Sequence, residues 1–138
     1  MLIKIKSSRL KEEENTKYIE FTIDQLGSST TDWPEDAIRV VFERFPALLR
    51  HKCKYPHNGG FLRVVNEGTT FAHVAQHIAM ILQHEELLNP ESLKLGEENE
   101  VIVTIPCVDY DEGIEAFKFA LSWLEGVIKE YSSQKEVI

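Results

Sequence analysis

The sequence predicts an α+β fold in which a small, mainly antiparallel sheet packs against two to three helices. Two stretches near the N-terminus alternate apolar and polar residues, and a third, near residue 105, is rich in β-branched residues; these patterns are typical of strands. Three further stretches place apolar residues at intervals of three or four, as amphipathic helices do. The 138 residues fit a single domain, expected to span residues 1–131, followed by a frayed tail at residues 132–138.

The first two strands are predicted to form a hairpin. Residues 1–9 alternate apolar with basic or polar side chains, residues 11–15 form a charged turn, and residues 18–23 alternate again. The second strand turns three apolar side chains to one face: Ile19, Phe21 and Ile23. We expect that face to lie against the helices.

The first helix is predicted to begin near Asp32. The carboxylate of Asp32 is suited to capping the first turn, where Pro34 is also tolerated. Pro46 has no amide hydrogen and is expected to end or kink the helix near Phe45.

The secondary structure of the centre of the chain is predicted less clearly. Residues 50–60 contain a proline, an asparagine and two adjacent glycines, which indicate turns. Residues 61–66 fit either a strand or a short helix. Thr69 or Thr70 can then cap a helix that runs to about residue 86.

The C-terminal third is predicted to contain a loop, a strand and a helix. Residues 89–100 are polar and loop-like, whereas residues 101–108 are dense in β-branched residues and predict a strand. Residues 109–112 open a last helix, whose apolar residues recur every three or four positions up to residue 131.

Composition excludes several classes of function. Fifteen basic against 23 acidic residues give a net charge of −8, which argues against binding to the phosphates of a nucleic acid. No stretch approaches the roughly 18 apolar residues of a membrane span, and the N-terminus lacks the apolar region of a secretory signal. The two cysteines, Cys53 and Cys107, are too few for a disulfide framework. We therefore expect a cytoplasmic domain that binds neither nucleic acid nor membrane.

The residues best suited to metal binding or catalysis are the histidines and one cysteine. All five histidines lie between His51 and His84, and Cys53 lies among them. His73 and His77 are four residues apart on a predicted helix, so both imidazoles face one side, as zinc ligands on a helix do. Cys53 is the natural third ligand, which leaves a fourth position for water or substrate.

Each of these residues also has a structural interpretation. Two histidines four apart are more often ordinary polar side chains than metal ligands, and Cys107 is expected to be buried in its strand. Gly59 and Gly60 most simply supply a turn with positive φ. Four further polar residues are expected at the surface: His51, His57, Glu67 and Glu85.

Three motifs strengthen the metal interpretation: FPALLRHKC at residues 45–53, GGFLRVVNEGT at residues 59–69, and HVAQH at residues 73–77. In this order and spacing they resemble the N-terminal domain of cyanophycin synthetases, which has H-x-x-E-H at the third motif. The resemblance extends more loosely through residues 101–127. In that family the domain precedes an ATP-grasp ligase and a Mur-ligase-like domain, which together build a poly-aspartate chain that carries arginines.

The resemblance implies a stand-alone accessory domain that is not an ATP-dependent ligase on its own. It implies that three residues hold a zinc ion: Cys53, His73 and His77. It also implies a ligand pocket beside that ion, formed by Gly59, Gly60, Phe61, Arg63 and Thr69. The H-x-x-E-H motif resembles the inverted zincin arrangement of metal-dependent hydrolases.

This sequence departs from the family at Gln76, which stands at the position of the catalytic glutamate. A glutamate there would take a proton from the attacking water, whereas an amide cannot accept it. Glu67 or Glu85 are the alternatives that could supply the missing base.

Three hypotheses about function follow. The first is a zinc-binding, non-catalytic module that binds a peptide, a polymer or a protein partner. The second is a metal-dependent hydrolase that cleaves amide bonds of cyanophycin-like or isopeptide substrates. The third is a structural domain without metal. A homodimer is compatible with each of them, although nothing in the sequence locates an interface.

Overall fold

The structure, a computed structural model, describes residues 3–25, 29–53, 55, 57–83, 94–95 and 100–136. Within these residues it contains four strands: β1 (Ile3–Glu13), β2 (Thr16–Gln25), β3 (Lys94–Leu95) and β4 (Glu100–Cys107). It also contains four α-helices: α1 (Glu35–Arg44), α2 (Gly60–Glu67), α3 (Phe71–Leu82) and α4 (Tyr110–Glu136). The predicted α+β fold is confirmed.

The sheet is antiparallel throughout and has the strand order β1-β2-β4-β3. Its N-terminal hairpin is confirmed, but the turn is shorter than expected because β1 continues to Glu13. Glu14 and Asn15 form the turn with φ angles of 48° and 67°. Positive φ at both residues gives the twist that a two-residue hairpin turn needs.

One face of the sheet carries the core. Ile19, Phe21 and Ile23 are buried, as their alternation predicts, and the facing residues of β4 are buried with them. Helices α3 and α4 cover this face. The ring of Phe117 in α4 lies 4.5 Å from the ring of Phe21, measured between centroids. The sheet and the two helices therefore share one apolar cluster.

The cap expected at Asp32 is wrong. Asp32 ends a short 3-10 helix, Thr30–Asp32, which is itself capped by the side chain of Ser29. The N-cap of α1 is Pro34, because a residue before proline is disfavoured in helical conformation and Trp33 is accordingly extended. Asp32 is thereby separated from the helix that it was expected to cap.

Pro46 ends the first helix as predicted. Helix α1 finishes at Arg44, and the chain continues as a second 3-10 helix, Pro46–Arg50. Residues 61–66, which fitted either conformation, are helical. The described residues therefore contain four α-helices where two to three helices were expected, because α2 is short enough to carry little periodic signal.

Helix α3 begins where the sequence predicts. The Thr70 hydroxyl accepts the amide hydrogen of His73 at 3.1 Å, which confirms Thr70 as the cap. The helix is described to Leu82, and the predicted end near residue 86, together with His84 and Glu85, lies outside the described residues. Helix α4 is described to Glu136, beyond the expected start of the tail. The domain limits 1–131 stay a prediction.

None of the described helices combines the length and the apolar character that crossing a bilayer requires.

Two glutamine side chains attach α3 to the sheet. Gln76 Nε2 donates to the carbonyl oxygen of Thr104 at 2.8 Å, and Gln83 Nε2 donates to that of Pro106 at 3.2 Å. These carbonyls lie two residues apart on β4, and the glutamines lie seven residues apart, about two helical turns. The helix is thereby held with its glutamine face against the sheet.

We predict that Phe117→Ala lowers the free energy of unfolding by about 3–5 kcal/mol, since it removes a fully buried ring from between α4 and β2. Phe119→Ala is the matched control, because Phe119 lies on the same helix but is 50% exposed, and it should change stability by less than about 0.5 kcal/mol. Urea denaturation of both variants measures this. Equal losses would contradict the described packing.

Candidate metal centre

Three side chains predicted as metal ligands converge in the structure. Cys53, His73 and His77 each bring one potential ligand atom within 4.8 Å of the others. The sulfur of Cys53 lies 3.4 Å from Nε2 of His73. Two ligand atoms on a tetrahedral zinc ion are separated by roughly 3.5 Å, given Zn–S and Zn–N bonds of about 2.3 and 2.0 Å. The spacing of these two atoms therefore fits a shared ion.

Cys53 reaches this position on a loop that is closed by backbone hydrogen bonds. The amide of Gly59 donates to the carbonyl of Leu49 at 2.8 Å, and the amide of Phe61 donates to the carbonyl of His51 at 2.9 Å. Cys53 itself has a φ of 54°, an unusual value for a residue with a side chain. Such a conformation persists where the surrounding structure imposes it, and it is frequent at functional sites.

The two glycines make the loop compatible with α2. Gly59 has a φ of 86°, as expected for a turn glycine. A Cβ atom on Gly60 would lie 2.2 Å from the carbonyl oxygen of Lys52 and 2.9 Å from Cβ of Tyr55. Only glycine allows the start of α2 to lie this close to the loop that carries Cys53.

His73 and His77 lie one turn apart on α3, with ring centroids separated by 5.0 Å. Nδ1 of His73 is 2.8 Å from the hydroxyl of Thr69, and Nδ1 of His77 is 2.7 Å from Nδ1 of His51. These contacts occupy the Nδ1 atoms and leave the Nε2 atoms as the nitrogens available to a metal, and Nε2 of His73 already lies beside the sulfur of Cys53. Nε2 of His77 is buried and has no hydrogen-bond partner among the described residues. A buried acceptor of this kind is what a metal ion would satisfy.

Burial keeps both histidines neutral. It lowers the pKa of His73 from its ordinary 6.5 to about 4. It also lowers the pKa of His77 well below 6.5, with the neighbouring rings of His73 and His51 adding to the effect. A neutral imidazole is the form that binds metal, so neither histidine has to release a proton at pH 7.

Phe61 is a wall of this site. Its ring stacks on His77, with centroids 3.9 Å apart and an angle of 21° between the planes. It also meets His73 edge-on, at 5.5 Å. Phe61 is fully buried. It therefore packs against both imidazoles and exposes no side-chain surface that a ligand could contact.

Glu67 lies outside the candidate ligand group, and the side chain of Gln76 is hydrogen-bonded to the sheet. Gln76 is buried and its amide donates to the carbonyl of Thr104, on the sheet side of α3. Glu67 is exposed at the end of α2, where it accepts hydrogen bonds from the Tyr55 hydroxyl and from Nε of Arg63. The Arg63 guanidinium lies over the Tyr55 ring, 4.1 Å from its centroid. Arg63, Glu67 and Tyr55 therefore form a separate surface cluster.

The expectation that His51 lies solvated at the surface is wrong. Its ring is half-buried and contacts both His77 and Phe61. Sequence reasoning missed this role because the path of a loop cannot be read from residue spacing. The available signal was the position of His51 two residues before Cys53 in the same loop. His57 is exposed and Cys107 is buried, as expected.

We predict that the chelator-treated protein loses stability as the pH falls from about 6.5 towards 4. The pKa of His73 is lower in the folded protein, so below 6.5 the unfolded chain takes up a proton that the folded chain resists. The stabilisation is thus complete above about 6.5 and is lost on the way to 4. Urea denaturation between pH 7 and pH 4 measures it, with His73→Asn as comparison. Identical pH dependence in both proteins would contradict the prediction.

Comparison with known proteins places these residues in a family. Residues 18–129, which include the whole candidate site, match the Cyanophycin synthase-like N-terminal domain. Cyanophycin synthetase of Synechocystis sp. is 37% identical over 65 residues, which are 47% of this chain and 7% of that protein. Cyanophycin synthetase of Crocosphaera subtropica is 46% identical over 43 residues, which are 31% of this chain and 5% of that protein.

The matched segments thus span less than a tenth of these curated relatives. The match to the family covers well over half of the chain. Together with the α+β fold, it shows that this protein belongs to the Cyanophycin synthase-like N-terminal domain family.

Proposed function

We propose that this domain is a zinc-binding, non-catalytic recognition module for a peptide or polymer ligand. The observation that carries the proposal is the composition of the three-residue group: one thiol, two imidazoles and no carboxylate within the described residues. Such a set can hold a metal ion, but it contains no group that could accept a proton from an attacking water.

The ligand chemistry favours zinc. A soft thiolate combined with imidazoles suits zinc better than calcium or magnesium, which prefer oxygen ligands. Three protein ligands leave a fourth position on a tetrahedral ion. Cys53 is exposed, so this position would lie on the solvent side of the site. A donor atom of a bound ligand could occupy it.

Family membership suggests the ligand class. The curated relatives are cyanophycin synthetases, and cyanophycin is a poly-aspartate chain that carries arginines. A main-chain carbonyl oxygen or the terminal carboxylate of such a polymer is a suitable fourth donor for zinc. A partner protein that presents a carboxylate is the alternative occupant.

The position of Gln76 supports a binding role rather than catalysis. An amide cannot act as a general base, and this amide is held by a hydrogen bond to Thr104. Glu67 is held in its own cluster by Tyr55 and Arg63, so it is a poor substitute. Rescue of catalysis by Glu67 is therefore not part of the proposal.

A metal-dependent amide hydrolase is the second candidate. The observation that favours it is a group of three candidate protein ligands, one of which, Cys53, is exposed. Catalytic zinc sites have three protein ligands and keep the fourth position open, whereas structural sites have four protein ligands. The two candidates share the metal and differ in whether a base is present.

The zinc site is tested by elemental analysis of protein purified without chelator and incubated with zinc. We expect about one zinc per chain in the wild type and none in Cys53→Ala or His77→Gln, which remove ligands. Cys107→Ala is the matched control, because Cys107 is buried in β4 outside the ligand group, and it should keep the metal. Absence of zinc from the wild type after addition would contradict the proposal.

The non-catalytic role is tested by incubating the zinc-loaded protein with soluble cyanophycin fragments and measuring released peptides by mass spectrometry. We expect the wild type to bind the fragments and leave them intact. Gln76→Glu should lower the free energy of unfolding by about 1–3 kcal/mol, because the carbonyl of Thr104 loses its donor. Urea denaturation measures this loss. Zinc-dependent cleavage by the wild type would contradict the binding role and favour the hydrolase.

A further inference from the structure

We propose that His51 is a positioning residue of the metal centre, which accepts the Nδ1 hydrogen of His77 and so holds His77 in the tautomer whose Nε2 can bind a metal. This inference rests on the proposed function. It deepens that function by assigning a role to a histidine outside the ligand group of Cys53, His73 and His77.

The contact between the two rings requires an unequal pair. Nδ1 of His51 and Nδ1 of His77 are 2.7 Å apart, so one nitrogen must carry the hydrogen and the other must accept it. If His51 donated, His77 would carry its hydrogen on Nε2, and that nitrogen would have no lone pair to offer to a metal. If His77 donates, its buried Nε2 keeps a lone pair that is available to a metal ion shared with Cys53 and His73. The second arrangement is the one that suits a metal ligand.

His51 is well placed to impose this choice because its backbone is fixed on both sides. Its amide donates to the carbonyl of Leu48 at 3.1 Å, and its carbonyl accepts the amide of Phe61 at 2.9 Å. Phe61 also stacks on the ring of His77. The plane of His77 is thus set by Phe61, and its rotation within that plane is set by His51.

The other ligand histidine is held by a different group. Nδ1 of His73 contacts the Thr69 hydroxyl, which rotates and can either donate or accept. The hydroxyl therefore orients the ring of His73, but it can form this hydrogen bond with either tautomer. The imidazole of His51 has no such rotation, and in the tautomer that carries its hydrogen on Nε2 its Nδ1 can only accept. Hydrogen bonds of this outer kind commonly change metal affinity by 10–100-fold when they are removed.

Two substitutions separate positioning from packing. His51→Phe keeps an aromatic ring but removes the acceptor, whereas His51→Gln keeps a carbonyl oxygen that can accept the hydrogen. We expect the zinc affinity, measured by competition with a chelating dye, to fall by about 10–100-fold in His51→Phe and to recover in part in His51→Gln. The absorption spectrum of bound Co²⁺ should change in His51→Phe, because the coordination geometry relaxes. Wild-type affinity and an unchanged Co²⁺ spectrum in folded His51→Phe would overturn the inference.

A measurement on the metal-free protein makes the result independent of the proposed function. In chelator, ¹⁵N–¹H correlation spectra of the imidazoles report which nitrogen of His77 carries the hydrogen. The inference expects the hydrogen on Nδ1 in the wild type, and a hydrogen on Nε2 would overturn it even if His51→Phe failed to fold. A wild type that binds neither zinc nor cobalt would refute the metal site, and the tautomer would still decide the contact of His51 with His77.

Discussion

The closure of the loop between residues 49 and 61 is the constraint on which the candidate site depends. Two backbone hydrogen bonds, from Gly59 to Leu49 and from Phe61 to His51, fold the loop back on itself. This places Cys53 beside His73, although the two residues are twenty positions apart in the chain. The absence of a side chain on Gly60 is part of the same constraint, because any Cβ there would collide with the loop backbone.

Helix α3 serves the fold and the site from different faces. Its histidine face contacts the loop, while Gln76 on the sheet side donates to β4. A glutamate at this position, as in the H-x-x-E-H motif, would carry a carboxylate that could accept a proton from water. In this protein it is an amide whose donor is used in attaching α3 to the sheet. The difference from the H-x-x-E-H motif is thus structural as well as chemical.

Much of the fold could be predicted from residue pattern, because the apolar residues that face the core recur at the fixed interval of a helix or a strand. The hairpin, the end of α1 before Pro46 and the cap at Thr70 follow from these intervals and from simple backbone chemistry. Helix α2 is too short to leave a clear period. The burial of His51 and the separation of Asp32 from α1 depend on the path of the chain in three dimensions. The three candidate ligands were predictable from helix spacing and motif resemblance, but the contact of His51 with His77 was not.

We have proposed that a loop thiolate and two imidazoles of one helix share a zinc ion. X-ray absorption spectroscopy of the zinc-loaded wild-type protein tests this most directly, since it reports the type and distance of the ligands. We expect one sulfur at about 2.3 Å, with two imidazole nitrogens at about 2.0 Å and a further light atom. A zinc environment without sulfur, or with only oxygen ligands, would contradict it.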